Sequence, residues 1–381
     1  MPNRYSELSE AQVEQFLSHG LVTIPNALSP EFCEAEVQKT WARLGINEHD
    51  RSTWNFTRTN MPNLDRFEFE VQAPRAWRAI SDLLGGADRI KTPASFGNNM
   101  IVVLNNADTP WVPPTASAPG WHKDGDWFNH FLDSPEQALL VIVVWRDIRP
   151  FGGGTYFACD SVGEMARYYA QKPEGGYIDG PSMGRALENC RDFRELVANA
   201  GDIVLMHPYM VHAVSINTLP QPRVICNACV SLKEPMEFNR ADPADFSPLE
   251  RSVLRALGVE RLDFKITGQR GRIIPQREIE WEKTTGGGTR TVGEVGGGEG
   301  VILLAGRAPG SDGLGRSCDT HQPVRSIART APSSLAGLKK MPSFARATLQ
   351  VDVYRTTGQD RRLRVRLTSK TSLARPANKT R

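Results

Sequence analysis

Residues 138–148 read ALLVIVVWRDI, a run dominated by aliphatic and β-branched side chains. A short apolar run of this kind, bounded by turn-forming residues, is typical of a buried β-strand. Similar runs lie at Met100–Leu104, Thr155–Cys159, Asp202–Met206 and Arg223–Leu232, with helices predicted between them at Val162–Gln171 and Arg191–Ala198. Regular alternation of strand and helix is absent. The pattern therefore favours an α+β protein with a β-sandwich or barrel core over a doubly wound sheet.

Helix signals flank this strand-rich region. Ser9 precedes a helical pattern with Gln12 at the capping-box position and Gly20 just past its end. A short strand is expected at Leu21–Pro25. A serine cap followed by proline predicts helices that start at Ser29-Pro30 and at Ser247-Pro248. Apolar spacing that ends at glycine predicts a further helix over Pro74–Leu84.

The composition indicates a globular protein followed by a C-terminal tail of different charge and glycine content. The chain has 381 residues, 40% hydrophobic and 23% charged, and no apolar run approaches the roughly 20 residues of a membrane helix. From Lys283 onward there are 18 Lys and Arg against 6 Asp and Glu, together with clusters of glycine. We therefore expect one domain over residues 1–282, with core strands at about 99–232, and a basic, glycine-rich, mostly disordered tail over 283–381. Within that tail, Ala347–Arg355 and Arg361–Leu367 are weak candidates for a hairpin.

One segment carries the chemistry. In Gly120–Trp127, GWHKDGDW, His122 and Asp124 are two residues apart and face the same side of an extended chain. His212 lies far downstream, and Arg223 follows it by eleven residues. Two imidazoles and one carboxylate on one face of a metal ion form the typical site of a non-haem Fe(II) oxygenase. A buried arginine nearby would recognise a carboxylate through paired hydrogen bonds.

These residues resemble those of the phytanoyl-CoA dioxygenase family of Fe(II)/2-oxoglutarate-dependent oxygenases. The resemblance runs from the helix and strand at residues 8–25 to about residue 232. The family has a double-stranded β-helix core, also called a jelly-roll or cupin-like fold, with N-terminal and flanking helices. Its His-x-Asp…His motif and following arginine match His122, Asp124, His212 and Arg223. Trp145, ahead of Gly152–Thr155, resembles a family tryptophan that would line the co-substrate pocket.

The resemblance implies the cofactors and the reaction. Fe(II) would be held by His122, Asp124 and His212, 2-oxoglutarate would be bound by Arg223 with Trp145 beside it, and O2 would be consumed. The products would be succinate, CO2 and an oxidised small molecule, such as a lipid-derived acid, an amino-acid derivative or a secondary metabolite. Related halogenases have a small residue where this chain has Asp124, so oxidation is expected rather than halogenation. Some members have a serine two residues after the distal histidine, where this chain has Val214.

Several alternatives stay open at this point. His207 is a rival metal ligand, although a structural role is favoured, and Trp145 could be an ordinary core aromatic. Asp126 and His130 are expected to touch substrate or solvent. The Cys226–Cys229 pair is expected to pack in the core, because its thiols face opposite sides of a strand and no second pair completes a zinc site.

The alternative function is that of a non-catalytic jelly-roll that binds a metal or ligand. The expected partner is a small-molecule substrate, with no nucleic acid and no membrane; the oligomeric state is not predicted. The chain start lacks the apolar stretch of a secretory signal, so a cytoplasmic location is expected.

Overall fold

The protein is described from a computed structural model, which covers residues 4–106 and 109–274 and the backbone of 348–355 and 363–370. The chain divides into two compact units, Met1–Arg325 and Ser326–Arg381. The helices of the first unit are α1 Glu10–His19, α2 Pro30–Leu44, α3 Phe69–Gln72, α4 Pro74–Leu84, α5 Ser161–Ala170, α6 Gly180–Asn189 and α7 Pro248–Leu257.

The strands of the first unit pair antiparallel throughout. They are β1 Leu21–Ile24, β2 Arg58–Asn60, β3 Arg66–Glu68, β4 Ser95–Gly97, β5 Ile101–Val103, β6 Leu139–Val144, β7 Thr155–Ala158, β8 Phe193–Glu195, β9 Ile203–Met206, β10 Val211–Val214 and β11 Arg223–Val230. A six-stranded sheet has the order β1-β9-β6-β11-β5-β2, and a three-stranded sheet has the order β10-β7-β8. Strands β3 and β4 form a separate pair.

The predicted helix boundaries follow from capping. Ser9 and Gln12 form the expected capping box at the start of α1, and Gly20 ends the helix with a φ of 69°. Ser247 and Glu250 form an equivalent box at α7. Helix α7 packs against α1, α4 and α5. Each capped helix buries one apolar face, and these contacts bury the faces against one another.

The large sheet is the centre of the core. All six residues of β6 are buried, as are all four of β9, in agreement with the continuous apolar runs of the sequence. The mixed helical and antiparallel-sheet architecture agrees with the expected α+β class. The double-stranded β-helix itself stays a prediction.

One predicted helix is wrong. The sequence predicts a helix over Arg191–Ala198, but residues Phe193–Glu195 form β8 and pair with the edge of β7, Arg194 lying opposite Phe157. The helix α6 lies earlier in the chain, and the Asp179 side chain caps it by accepting from the Ser182 N–H at 2.6 Å. The edge of β7 offers unpaired backbone groups, and this tertiary pairing outweighs a weak local helix preference.

The described residues of the second unit form an antiparallel pair, β12 Thr348–Arg355 with β13 Leu363–Lys370. This pair confirms the hairpin that the sequence predicts, with the second strand displaced a few residues along the chain. The expected domain boundary near residue 282 and, apart from these two strands, the expected disordered tail lie outside the described residues. Among the described residues, no helix combines the length and the apolar character that crossing a bilayer requires.

Candidate functional site

The backbone brings His122 and His212 side by side. His212 lies in β10, which pairs with β7. The His122 N–H donates to the His212 carbonyl at 2.9 Å, and the His212 N–H donates to the His122 carbonyl at the same distance. Two residues that are 90 positions apart in sequence are thereby directly opposed.

The three predicted ligands converge. The two Asp124 oxygens lie 3.6 Å from the Nε2 atoms of His122 and His212, one oxygen to each ring. All three potential ligand atoms lie within 4.8 Å of one another, and all three residues are buried. One metal ion of ordinary ligand distance could be bound by all three side chains.

Hydrogen bonds assign the protons of both imidazoles. His122 Nδ1 lies 2.9 Å from the Gly120 carbonyl, and His212 Nδ1 lies 3.1 Å from the Met210 carbonyl. A carbonyl only accepts, so each Nδ1 carries the proton and donates it. In the neutral form of each ring, Nε2 then keeps the lone pair that can bind a metal. Backbone carbonyls commonly orient metal-binding histidines in this way.

Arg223 is a buried cation that lines the same cavity as His122 and His212. Its side chain is 1% exposed, and Nη2 donates to the Thr155 hydroxyl at 3.2 Å. Nε and Nη1 have no hydrogen-bond partner within the described part of the chain. Burial, and then repulsion from Arg58, lowers the pKa of Arg223 to about 9, which still leaves the guanidinium charged at neutral pH. A buried charge without a counter-ion is costly, so an anionic ligand would be strongly favoured here.

A cavity lies between Arg223 and the two histidines of the cluster, and its empty space, counted together with the open solvent at its mouth, is about 430 Å³. Side chains of both sheets line it. Alternate residues of neighbouring strands of the large sheet supply one wall, because every second side chain points to the same face. This wall consists of Arg58, Asn60, Ile101, Ile142, Arg223, Ile225 and Asn227.

Sequence reasoning missed three polar residues of this wall: Arg58, Asn60 and Asn227. Burial lowers the pKa of Arg58, a second guanidinium facing the cavity. The only sequence signal for Arg58 and Asn60 is their two-residue spacing in a strand of three residues, which is too short to recognise from pattern alone.

The opposite wall contains the residues that follow the distal histidine. Val214 lines the cavity beside His212 and Thr155. Ser215 instead donates its hydroxyl hydrogen bond to Glu195 at 2.8 Å. The position two residues after His212 is thus occupied by an aliphatic side chain.

The structure does not bring Trp145 to the cavity. Its fully buried indole packs against the rings of Phe32 and Phe96, with centroids 5.7 and 6.1 Å away. It immediately follows β6, whose Ile142 does line the cavity. An odd number of positions separates the two, so Trp145 faces the other side of the sheet. Its geometry is that of a core aromatic.

The other candidate residues lie in the core as well. His207 is completely buried against Phe16 and Tyr209, and its Nδ1 accepts the Tyr209 N–H at 3.1 Å. Burial lowers the pKa of His207 to about 3, so this ring is neutral. It is not part of the three-residue cluster.

The sequence predicts that His130 touches substrate or solvent, but its side chain is 2% exposed and bonded within the chain. His130 therefore does not face solvent, and its contact with substrate stays a prediction. Asp126, for which the same contact is expected, is partly buried. Cys226 is a buried free thiol of β11 and Cys229 a partly buried one, in agreement with core packing.

No family model and no curated protein matches the chain. Solved structures do match it, and three of them have low sequence identity and low TM-scores. EvdO2 from Micromonospora carbonacea var. aurantiaca is 16% identical, with 63% of this chain and 96% of that chain covered and a TM-score of 0.34. HygX from Streptomyces hygroscopicus, solved with nickel and 2-oxoglutarate bound, is 12% identical, with coverages of 59% and 88% and a TM-score of 0.34. SnoK, a non-heme alpha-ketoglutarate-dependent carbocyclase from nogalamycin biosynthesis, is 16% identical, with coverages of 59% and 84% and a TM-score of 0.33.

Proposed function

We propose that this chain is an Fe(II)- and 2-oxoglutarate-dependent dioxygenase that oxidises a small organic molecule and forms succinate and CO2. One observation carries the proposal: the ligand atoms of His122, Asp124 and His212 lie within 4.8 Å of one another, beside a buried arginine. A relationship to the phytanoyl-CoA dioxygenase family, and a double-stranded β-helix core, are parts of this proposal.

The donor set suits ferrous iron. Two neutral imidazole nitrogens and one carboxylate form the facial ligand set of non-haem Fe(II) oxygenases, which leaves other coordination positions open. In each neutral ring the single hydrogen lies on Nδ1 and is donated to a backbone carbonyl, so the Nε2 lone pair can bind the metal. Asp124 supplies the negative charge between the two rings. A carboxylate at this position leaves no place for a chloride ligand, so the proposed reaction is hydroxylation or another oxidation.

The adjoining cavity suits a dicarboxylic keto acid. The keto-acid end would lie at the metal, and the far carboxylate would accept hydrogen bonds from Arg223. Two donors of this guanidinium are unpartnered within the described residues, while the Thr155 hydroxyl holds a third. Charge-assisted pairs of this kind are strong where water is excluded, and Ile101, Ile142 and Ile225 supply the apolar surroundings.

The division of labour between metal and protein follows from these positions. Bound iron would supply the O2 chemistry that couples decarboxylation of 2-oxoglutarate to oxidation of the substrate. The chain's own residues would bind and orient the reactants. The three-residue cluster would hold the metal, and Arg223 would orient the co-substrate. The isoleucine side chains that line the cavity would exclude water. A lipid-derived acid, an amino-acid derivative or a secondary metabolite is the proposed class of substrate.

The test is anaerobic addition of Fe(II) and 2-oxoglutarate to the full chain. We expect a weak visible charge-transfer absorption in the wild type and its loss in Asp124→Ala. Asp263→Ala is the matched control, because this exposed carboxylate lies on the surface with its side chain 63% accessible. The control variant should keep the band. No band in the wild type would overturn the proposal.

Turnover separates the enzyme from the non-catalytic alternative. A substrate screen under air should release succinate together with an oxidised product, and both should disappear in His212→Ala. A wild-type protein that shows the charge-transfer band but couples no substrate oxidation to succinate release across such a screen would favour a ligand-binding jelly-roll instead.

A further inference from the structure

The residue between the two ligands of the motif is a buried lysine. Lys123 is 1% exposed and alternates with His122 and Asp124, so its side chain leaves the chain on the side opposite the two ligands. Burying an ammonium group costs folding free energy, and a protein with an apolar residue of similar size at this position would usually be at least as stable. The contacts of Lys123 therefore require an explanation beyond packing.

Lys123 and His130 together bind the backbone on the far side of Asp124. Lys123 Nζ donates to the Asp124 carbonyl at 3.1 Å and to His130 Nδ1 at 3.0 Å. His130 Nε2 lies 2.5 Å from the Gly125 carbonyl and must donate to it, which leaves Nδ1 as the acceptor. Two successive carbonyls after the carboxylate ligand are thus held by one side-chain pair.

The loop fits tightly around this pair. Gly125 has a φ of 99°, and a Cβ there would lie 2.8 Å from the Phe128 ring and 2.9 Å from the His130 ring. The His130 ring stacks on Phe128 with a centroid distance of 3.8 Å. Lys123 Nζ lies 5.6 Å from the centre of the Tyr169 ring, where a cation is attracted to the aromatic face.

The backbone of the motif is held at both ends. Before Asp124, the paired backbones of His122 and His212 fix one ligand against another. After Asp124, the carbonyls of Asp124 and Gly125 are fixed by Lys123 and His130. Rotation of either peptide plane would turn the carboxylate away from the two imidazoles. Both ends must be held for the three ligand atoms to stay in place.

We propose that Lys123 and His130 form a positioning pair that sets the direction of the Asp124 carboxylate and thereby the affinity of the metal centre. The inference rests on the proposed function, because it assumes that the three-residue cluster binds a divalent ion. Neither residue is proposed to touch the metal. The pair acts through the backbone of the ligand loop.

The test measures Co²⁺ binding to the full chain by titration and by its visible absorption spectrum. His130→Phe keeps a ring for stacking and removes both hydrogen bonds; we expect Co²⁺ affinity to fall about 10- to 100-fold, as is typical when a group that orients a ligand is lost. His130→Gln can accept from Lys123 and donate to Gly125, and it should recover most of the affinity. The spectrum of His130→Phe should also change, because the ligand geometry changes.

A destabilised control separates positioning from general weakening of the fold. Ile80→Ala removes buried apolar volume from α4 and should lower the melting temperature while leaving Co²⁺ affinity within about twofold. Unchanged affinity and spectrum in His130→Phe would overturn the positioning pair while leaving the metal site intact. Failure of the wild type to bind Co²⁺ would instead contradict the proposed function itself.

Discussion

Arg58 and Arg223 lie in one row across the large sheet, because both are paired with Val103, one from each side. Residues in one row of a sheet point to the same face, and both guanidiniums line the cavity. The repulsion between them contributes to the lowered pKa of Arg223. An anion placed between the two guanidiniums would relieve this repulsion.

Loss of Arg223 should therefore weaken 2-oxoglutarate binding far more than metal binding. We expect Arg223→Gln to raise the dissociation constant for 2-oxoglutarate at least about 30-fold, since truncating one partner of a buried charge pair costs about 2 kcal/mol or more. Arg58→Gln should cause a smaller loss in the same direction. Calorimetric titration of the Co²⁺-loaded protein measures both.

The exposed Arg149 provides a control for charge alone, with Arg149→Gln expected to bind 2-oxoglutarate as the wild type does. Equal binding by wild type and Arg223→Gln would contradict the assignment of this arginine to the far carboxylate.

Metal binding should stabilise the folded chain. An ion that binds only the folded state raises the free energy of unfolding by about 2.7 kcal/mol at one hundred times its dissociation constant. We expect Co²⁺ to raise the melting temperature of the wild type and EDTA to reverse the increase. In His212→Ala, which lacks one ligand, the shift should vanish. In His49→Ala, which lacks a histidine whose side chain is 87% exposed, the shift should stay.

Acid should weaken the fold through Glu250. Burial alone would raise the pKa of this carboxyl, but hydrogen bonds from Arg89, Arg240 and two backbone N–H groups lower it to about 2 from an ordinary value of 4.5. A depressed pKa stabilises the folded state above the unfolded value, and this contribution is lost as the pH falls from about 4.5 toward 2. The shift corresponds to about 3 kcal/mol.

Glu250→Gln should therefore lower the free energy of unfolding at pH 7 and flatten its decrease between pH 5 and pH 2, as measured by urea denaturation at each pH. The matched change at the exposed Glu70, Glu70→Gln, should follow the wild-type curve. A Glu250→Gln curve parallel to the wild type in this range would show that Glu250 is not the group responsible.

Two glycines should respond in opposite directions to alanine. Gly125 combines a φ of 99° with neighbours that would lie closer than 3 Å to an added methyl group, so Gly125→Ala should cost about 1–3 kcal/mol of stability. Gly184 lies inside α6 with nothing within 4 Å of an added Cβ, so Gly184→Ala should add about 0.5–1 kcal/mol. Chemical denaturation compares the two, and an equal effect of both would contradict the tight loop around His130.

Local pattern predicts this site only where spacing carries the information. The two-residue spacing of His122 and Asp124 places both on one side of an extended chain, and the resemblance to the oxygenase family then singles out His212 and Arg223 by their offset. Trp145 shows the limit of this reasoning. It follows Ile142 by an odd number of positions, so a residue close to the cavity in sequence lies on the opposite face of the sheet. Arg58 lies in a strand of three residues, too short to leave a pattern.

The amino-acid sequence by itself determined the capped helices, the apolar strands of the large sheet and the kinds of side chain available to bind a metal. These properties depend on neighbours within a few positions, where propensity and alternation act. Only the tertiary structure decided that β8 is a strand, that His122 and His212 are directly opposed, and that Arg58 joins Arg223 at one cavity. Each of these depends on which distant strand supplies the backbone partner, and strand pairing is selected by the packing of the whole core.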